Sequence, residues 1–260
     1  MDDTLAVAKQ AATEAGKRLM ELYGNAEVSQ KGSTQNLVTQ ADIECEKLIT
    51  DIVRSTFPDH KLLLEEGQST GVAQDEHLWV IDPLDATNNF AHGIPHYCVS
   101  IAYAERGQLK TGVVFDPTRD ELFHATHNGG AFLNDKPMSV TESDCLEESI
   151  IGTGFYYDRG AMMEKTLNSI HTLFSRNVRG IRRMGSAAID LAWVACGRFD
   201  GFFEYKLEPW DYSAGKLLIE EAGGTCSDRL GNLLQIDSGN VIVSNGKIHN
   251  LLLDAVRWSE

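Results

Sequence analysis

The sequence is poor in cysteine, and its cysteines are not spaced as pairs. The 260-residue chain contains five, at positions 45, 98, 145, 196 and 226, and none belongs to a Cys-x-x-Cys pair. An odd number without paired spacing argues against a disulfide framework and against a zinc site. The cysteines therefore favour a reducing compartment.

The sequence also lacks targeting and membrane signals. It opens Met1-Asp2-Asp3, without a basic segment followed by an apolar one, and it has no apolar run that approaches the roughly 18–20 residues of a membrane span. We expect a cytoplasmic protein that does not contact membranes.

Basic residues are scarce. Lys and Arg total 23 against 38 Asp and Glu, a formal net charge of −15. This charge repels nucleic-acid phosphates, so no nucleic-acid partner is expected. The chain has no P-loop and no Gly-x-Gly-x-x-Gly segment, so nothing indicates a nucleotide cofactor. The acidity suits a protein that gathers carboxylates around divalent cations, although composition by itself favours a role in solubility alone.

Apolar periodicity predicts helices and strands in alternation, with a β-rich middle. This pattern indicates an α/β (α+β) fold of layered helices and mostly antiparallel or mixed sheets. No Gly-, Ser- or Pro-rich linker and no repeat interrupts the chain, so we expect one domain over 1–260, with halves at 1–145 and 146–260. The predicted helices are 2–23, 41–55, 160–175, 186–196, 212–222 and 246–257, and the predicted strands are 62–64, 78–81, 97–104, 110–115, 120–125, 149–153, 200–205 and 240–244.

Three acidic motifs stand at the ends of predicted elements. Each alone has an ordinary explanation: a solvated acidic pair, an Asp-Pro turn or a helix N-cap. Together they place several carboxylates at strand and helix ends, where like charges need a cation to offset them. Magnesium prefers such oxygen ligands. The motifs are Glu65-Glu66, Asp82-Pro83-Leu84-Asp85 and Trp210-Asp211.

At these residues the sequence resembles the inositol monophosphatase family of lithium-sensitive, metal-dependent phosphatases. The resemblance covers nearly the whole chain and implies an αβαβα sandwich of the sugar-phosphatase type. The segments that carry it are Leu64-Glu65-Glu66-Gly67, Trp79-Val80-Ile81-Asp82-Pro83-Leu84-Asp85-Ala86-Thr87-Asn88-Asn89-Phe90, and Trp210-Asp211-Tyr212-Ser213-Ala214-Gly215 running on to Glu221-Ala222-Gly223-Gly224.

The chain departs from the family pattern at a few positions. Ala86 replaces the usual Gly after the second Asp of the first motif. Ala disfavours positive φ, and the start of a helix needs negative φ, so we expect a negative φ at Ala86. We expect catalytic activity only if this φ is negative. Leu64 and Gly67 replace Gly and Ser around the paired glutamates, and Ser213 stands where relatives usually carry Ala.

The resemblance implies a binuclear magnesium site, with two or three ions in total. Glu65, Asp82 and the backbone carbonyl of Leu84 would bind the first ion, and Asp82, Asp85 and Asp211 the second. Asp82 would bridge the two, since a carboxylate has two oxygens.

The resemblance also implies the catalytic residues Thr87, Asp42 and Glu65. The reaction would be direct attack of a metal-activated water on phosphorus. Thr87 resembles the hydroxyl that orients this water, and Asp42 resembles its partner; a helix N-cap is the alternative for Asp42. Lys31 resembles a family lysine near the cleft, with a solvated surface lysine as the alternative.

The implied substrate is myo-inositol monophosphate, hydrolysed to inositol and phosphate. Phosphate would lie against the amides of Ala86 and Thr87. Glu204 lies seven residues before Asp211, which is the family spacing and the best single indication of a polyol. The implied substrate-binding residues are Asp85, Ala86, Thr87, Gly185, Ser186, Ala187, Glu204 and Asp211.

Three further residues attract attention without indicating covalent catalysis. Cys98 lies in the apolar run from Tyr97 to Tyr103 and is expected to be a core thiol. His92 and His96 follow the first motif, and a loop or surface position is favoured over a supporting role at the site.

Other substrates and roles remain open within the family. Fructose 1,6-bisphosphate, histidinol phosphate and an adenosine bisphosphate are alternative substrates. Arg179, Arg182 and Arg183 are candidates to receive a second anion, but a subunit interface or salt bridges would also explain these arginines and is the favoured explanation. A non-catalytic regulatory protein on the same scaffold would lack a metal carboxylate or Thr87, and none is missing. The family also implies lithium sensitivity and a homodimer.

Overall fold

The computed structural model describes residues 3–24, 28–30, 37–157 and 159–257. Its helices are α1 (Asp3–Leu22), α2 (Gln40–Thr56), α3 (Thr87–Ala91), α4 (Ala161–Ser175), α5 (Ala187–Ala195), α6 (Pro209–Glu221) and α7 (His249–Val256), with a 3-10 turn at Leu146–Glu148. Its strands are β1 (Val28–Gln30), β2 (Leu37–Thr39), β3 (Lys61–Leu64), β4 (Leu78–Asp85), β5 (Cys98–Glu105), β6 (Gln108–Asp116), β7 (Glu121–Thr126), β8 (Gly130–Leu133), β9 (Lys136–Pro137), β10 (Ile150–Thr153), β11 (Gly180–Arg182), β12 (Gly201–Leu207), β13 (Thr225–Ser227) and β14 (Gly239–Ser244).

A seven-stranded sheet carries the first half of the fold. Its order is β3-β4-β5-β6-β7-β8-β9; β3 runs parallel to β4, and every other neighbouring pair is antiparallel. Helices α1 and α2 pack together on one face of this sheet. The buried stripe of α1 is mostly alanine, and a side chain at Gly16 would overlap the Phe115 ring. Small residues therefore let α1 approach the sheet closely.

A five-stranded sheet forms the second half. Its order is β11-β10-β12-β14-β13, with β10 parallel to both its neighbours and β14 antiparallel to its own. Helices α5 and α6 lie between the two sheets, because α6 contacts β4 to β8 on one side and β13 and β14 on the other, while α5 contacts β12. Helices α4 and α7 pack together on the outer face, over Phe203 and Ile242.

The resulting order is helices, sheet, helices, sheet, helices, which confirms the predicted layered α/β class. The long predicted elements match the observed ones to within a few residues. The sequence patterns missed β1, β2, β8, β9, β11 and β13, which span only two to four residues each and so have too few positions to display alternation. None of the described helices is both long and apolar enough to cross a bilayer.

Candidate active site

The predicted site residues converge on one cleft between the two sheets, with a volume of about 440 Å³. The ends of β3 and β4, the segment after β10, the pocket face of β12 and the first turns of α5 and α6 all contribute to its wall. The predicted residues that line it are Glu65, Asp82, Leu84, Asp85, Ala86, Thr87, Gly185, Ser186, Ala187, Glu204 and Asp211.

The end of β4 supplies two buried carboxylates. The register against β5 shifts between Asp82 and Asp85, where Pro83 removes one ladder donor. Asp82 Oδ1 accepts the Leu84 N–H at 3.0 Å. This local turn holds both side chains on the cleft side.

Asp85 is held by the start of α5. Its Oδ2 accepts the Ser186 hydroxyl at 2.5 Å and the Ala188 N–H at 2.8 Å. Ser186 is also the N-cap of α5, because its Oγ accepts the Ile189 N–H. The sequence alone predicted a helix start at Ser186, and the fold joins that start to the end of β4.

Asp211 is the third residue of α6. Its Oδ2 accepts the Glu208 N–H at 2.7 Å and closes a capping box, with Pro209 in the first turn of the helix. The N-cap of α6 is Glu208, so the N-cap explanation for Trp210-Asp211 is wrong, and Asp211 lines the cleft from the third position of the helix.

The carboxyl groups of Asp82, Asp85 and Asp211 each offer an oxygen, and these oxygens lie within 4.8 Å of one another. Burial, then the charges of Glu65, Asp85 and Asp211, raise the pKa of Asp82 well above its usual value. Burial, then Asp85 and Glu65, do the same for the pKa of Asp211. The carboxylates of this cluster repel one another, and a bound divalent cation would remove that repulsion. Their hard oxygen donors are the ligands that magnesium prefers.

The paired glutamates differ in their relation to the cleft. Glu65 lines it and contributes to the raised pKa of Asp82. Glu66 is not among the lining residues, and its backbone N–H donates to Glu46 Oε2 on α2 at 2.9 Å. The backbone carbonyl of Leu84 lies in the cleft wall, with its oxygen 3.2 Å from the Thr87 hydroxyl oxygen.

Thr87 contacts Asp42 directly. The Thr87 hydroxyl lies 2.8 Å from Asp42 Oδ1, while Asp42 Oδ2 accepts the N–H and the hydroxyl of Thr39 at 2.8 and 2.6 Å. Asp42 is fully buried, and burial raises its pKa. The N-cap of α2 is Thr39 and Asp42 is the third residue of the helix, so the alternative that made Asp42 an N-cap is wrong. Asp42 instead closes the capping box from the third position, and it contacts Thr87 at the same time.

The expected negative φ at Ala86 is wrong. Ala86 has φ 76° and ψ 48°, the left-handed region, and is the N-cap of α3. The helix begins one residue later, at Thr87, so the helix start places no demand for negative φ on Ala86. A non-glycine residue in this region costs roughly 1–2 kcal/mol. Ala86 therefore adopts the conformation open to the family's glycine and bears strain that glycine would avoid. The condition that we placed on activity is corrected as well, because Ala86 keeps its backbone N–H in the left-handed region and a positive φ does not remove the amide expected to contact phosphate.

Glu204 lies on β12 and is 8% exposed. Burial raises its pKa to about 8, and Arg183 opposes that rise. A side chain at Gly154 on the neighbouring segment would overlap the Glu204 carboxyl, so this glycine leaves room for it. Gly185 has φ 101° and turns the chain into the Ser186 cap.

Several cleft residues were missed by sequence reasoning. Asp190 and Lys206 line the cleft, as do Tyr156 and Tyr157. Burial, followed by Glu65, Asp211, Asp85 and Glu204, raises the pKa of Tyr157, so its phenol lies close to the acidic cluster. Alternation along β12 places Lys206 on the Glu204 face, a signal that was available from the sequence once Glu204 was singled out.

The predicted arginine cluster is divided in the structure. Arg183 lines the cleft, whereas Arg179 and Arg182 are exposed and outside its wall. Lys31 lies outside the described residues.

Cys98 is buried, and burial together with Asp85 raises the pKa of its thiol. It is thus a core thiol. His92 is exposed in a loop, whereas His96, also in a loop, is 2% exposed.

Comparisons with known proteins agree with this geometry. The sequence profile of the inositol monophosphatase family matches residues 1–259. The chain is 41% identical to the inositol-1-monophosphatase of Synechocystis sp., over 97% of this chain and 88% of the relative. It is equally 41% identical to the Nus factor SuhB of Escherichia coli K12, over 99% and 97%.

Solved structures share the fold. An IMPase/NADP phosphatase complexed with Mg²⁺ and phosphate superposes with a TM-score of 0.86 at 26% identity, covering 97% of this chain and 94% of that one. From the family match, the identities and the converging acidic motifs, it follows that the chain belongs to the inositol monophosphatase family.

Proposed function

We propose that the protein hydrolyses myo-inositol monophosphate to inositol and phosphate, with magnesium as the cofactor. Membership of the family makes it a phosphatase, a hydrolase of phosphoric monoesters. The observation that carries the proposal is the buried carboxylate cluster of Asp82, Asp85 and Asp211, beside Thr87 and Glu204 in the same cleft.

Magnesium would be held by the carboxylate cluster, in two or three sites. Glu65, Asp82 and the carbonyl of Leu84 are the proposed ligands of one ion, and Asp82, Asp85 and Asp211 those of a second. Bound there, the ions would supply an activated water nucleophile and offset the charge on the leaving oxygen. The relative solved with Mg²⁺ and phosphate supports this choice of ion.

Thr87 and Asp42 are proposed to orient the attacking water, and Glu65 to act with them. The Thr87 hydroxyl hydrogen is committed to Asp42 Oδ1, which leaves the oxygen lone pairs of Thr87 free to accept a hydrogen bond from water. Asp42 cannot rotate away, since Thr39 donates two hydrogen bonds to its other oxygen. The pair is thus preorganised before substrate arrives.

Binding of the substrate would use both ends of the cleft. The amides of Ala86 and Thr87 are proposed to bind phosphate. The hydroxyls of the polyol would meet side chains and backbone at the opposite wall, formed in this proposal by Asp85, Gly185, Ser186, Ala187, Glu204 and Asp211.

Domain organisation and location are proposed from the sequence, and oligomeric state and lithium inhibition from the resemblance to the family. The chain would act as one catalytic domain, with halves at 1–145 and 146–260, in a cytoplasmic homodimer. It would be inhibited by lithium at one metal position, and it would bind neither nucleic acid nor membrane.

A second candidate substrate is another phosphorylated metabolite: fructose 1,6-bisphosphate, histidinol phosphate or an adenosine bisphosphate. The position of Arg183 in the cleft wall favours the two bisphosphates, because a guanidinium is suited to a second anion. A regulatory role is suggested by the name of the SuhB relative, but retention of every carboxylate and of Thr87 supports catalysis.

The test is phosphate release by the purified protein from inositol 1-phosphate and each competitor, with magnesium and after chelation. We expect inositol 1-phosphate to have the highest kcat/KM and chelation to remove activity. If inositol 1-phosphate is the slowest substrate by roughly a hundredfold, the substrate assignment is wrong, since a gap of that size is typical of a non-cognate substrate. No turnover of any phosphate ester would favour the regulatory role.

A further inference from the structure

Asp190 is an additional acidic group in the wall of the cleft. It lies in the first turn of α5, where its N–H donates to the Ser186 carbonyl at 3.1 Å. Ser186 in turn donates to Asp85, so the position of Asp190 is tied to the acidic cluster. Asp190 is among the residues that line the cleft, although it is only 1% exposed.

One oxygen of the Asp190 carboxyl, Oδ1, lacks a hydrogen-bond partner. Among the described residues, the buried side-chain polar atoms without one are Asp190 Oδ1, both ring nitrogens of His96 and Nε1 of Trp193. His96 Nε2 is 3.5 Å from Asp190 Oδ1, and the His96 and Trp193 rings are in edge contact at 5.3 Å. All the unsatisfied groups thus lie together beside the cleft.

Unsatisfied buried groups are rare in folded proteins, because each costs about 1–3 kcal/mol. Their concentration at one wall of a cleft points to a polar group that arrives with the ligand. The cleft supplies a route to Asp190, whereas Trp193 is absent from the cleft wall. Asp190 is therefore the member of the group that a ligand can reach.

The surrounding charges suit a hydroxyl-bearing ligand. Burial raises the pKa of both Asp190 and Glu204, and the charge of Arg183 opposes both rises. Asp190 also raises the pKa of Glu204. Two carboxyl groups and a guanidinium thus belong to residues that line the same cleft, and a ring with neighbouring hydroxyl groups, each both a donor and an acceptor, can pair with all three.

We propose that Asp190 binds a hydroxyl group of the polyol part of the substrate, with His96 as a positioning residue behind it. This inference rests on the proposed function, since it requires a polyol phosphate in the cleft. It adds to the polyol wall a residue that determines specificity and takes no part in breaking the phosphorus–oxygen bond.

The experiment compares Asp190→Ala with the wild-type protein on inositol 1-phosphate and on p-nitrophenyl phosphate, which has no polyol. We expect kcat/KM for inositol 1-phosphate to fall roughly 10- to 100-fold, mostly through KM, because the bound hydroxyl group is left buried without its partner. For p-nitrophenyl phosphate kcat/KM should change by less than about twofold, because that substrate offers no hydroxyl to lose. Monodeoxyinositol 1-phosphates extend the test. The wild-type protein should have a lower kcat/KM for one of them than for inositol 1-phosphate, whereas Asp190→Ala should hydrolyse these two substrates with similar kcat/KM.

Two more variants distinguish the loss of a substrate contact from a loss of folding. Asp190→Asn keeps the size of the side chain and should give a smaller fall, again only with inositol 1-phosphate. Asp200→Asn is the matched control: Asp200 is buried and hydrogen bonded to Thr141 and the Ile150 N–H, outside the cleft wall. It should lower Tm without discriminating between the two substrates.

Equal losses on both substrates in the Asp190 variants would overturn the inference and assign Asp190 a structural role. Unchanged kcat/KM on inositol 1-phosphate would overturn it as well, while leaving the proposed function intact. If the wild-type protein hydrolyses p-nitrophenyl phosphate but not inositol 1-phosphate, both the polyol substrate and the role of Asp190 are wrong.

Discussion

The hydroxyl of Thr87, at the start of α3, donates a 2.8 Å hydrogen bond to Asp42, in the first turn of α2. The two residues come from separate motifs, and each is buried. The bond joins the helix that follows β4 to the α1–α2 layer at the edge of the acidic cleft.

Replacing Thr87 by Val removes this hydroxyl with little change in volume. We expect kcat for inositol 1-phosphate to fall by about 10²–10⁴, the range for losing a group that assists proton transfer, with a small change in KM. Thr87→Ser keeps the hydroxyl and should retain most of the activity. Steady-state kinetics of the two variants make the comparison, and equal activity in both would exclude a role for the hydroxyl.

Asp82→Asn should abolish phosphatase activity while preserving the fold. In the absence of magnesium it should also raise Tm, because it removes a charge that Glu65, Asp85 and Asp211 repel. With magnesium present the order should reverse, since the wild type alone gains binding free energy. Thermal melts of both proteins, with magnesium and with chelator, test this. Full activity in the variant would refute the proposed metal site.

Glu204 makes stability depend on pH. Its pKa is raised from the ordinary 4.5 to about 8, so the folded state holds a proton that the unfolded state has lost. The free energy of unfolding should thus fall as pH rises from 4.5 toward 8, by at most about 1.4 kcal/mol for each unit of the pKa shift. Glu204→Gln should flatten that part of the curve. Denaturant titrations of the magnesium-free proteins across this range measure it, and identical slopes would contradict the assignment.

Ala86→Gly should stabilise the protein, by up to about 1 kcal/mol. The variant relieves the left-handed strain at φ 76°, and the greater chain entropy of glycine in the unfolded state offsets part of the gain. Activity should remain near that of the wild type, since the backbone N–H is retained. Chemical denaturation gives the stability difference. A destabilised variant would mean that the methyl group contributes packing that outweighs the strain.

The match between predicted and observed elements was best where the chain is long and periodic. The α1 stripe and the β5–β6 meander repeat their apolar spacing over many residues, so local sequence was sufficient there. At Ala86 the residue type predicted a negative φ. The observed φ is 76°, because the chain must turn directly after Asp85 to begin α3 at Thr87. The conformation of a single linking residue is set by the elements on either side of it.

The sequence by itself determined the family, the layered architecture and the acidic residues of the cleft. Each of these depends on short contiguous segments, in a fixed order along the chain, that can be recognised without knowing their neighbours in space. Only the tertiary structure showed that Asp190 lines the cleft with its Oδ1 lacking a hydrogen-bond partner beside His96, that Glu65 lines the cleft and Glu66 does not, and that Arg183 lines it apart from Arg179 and Arg182. These relationships depend on burial and on neighbours from other elements. No local pattern records which group a side chain will meet once two sheets and their helices have packed.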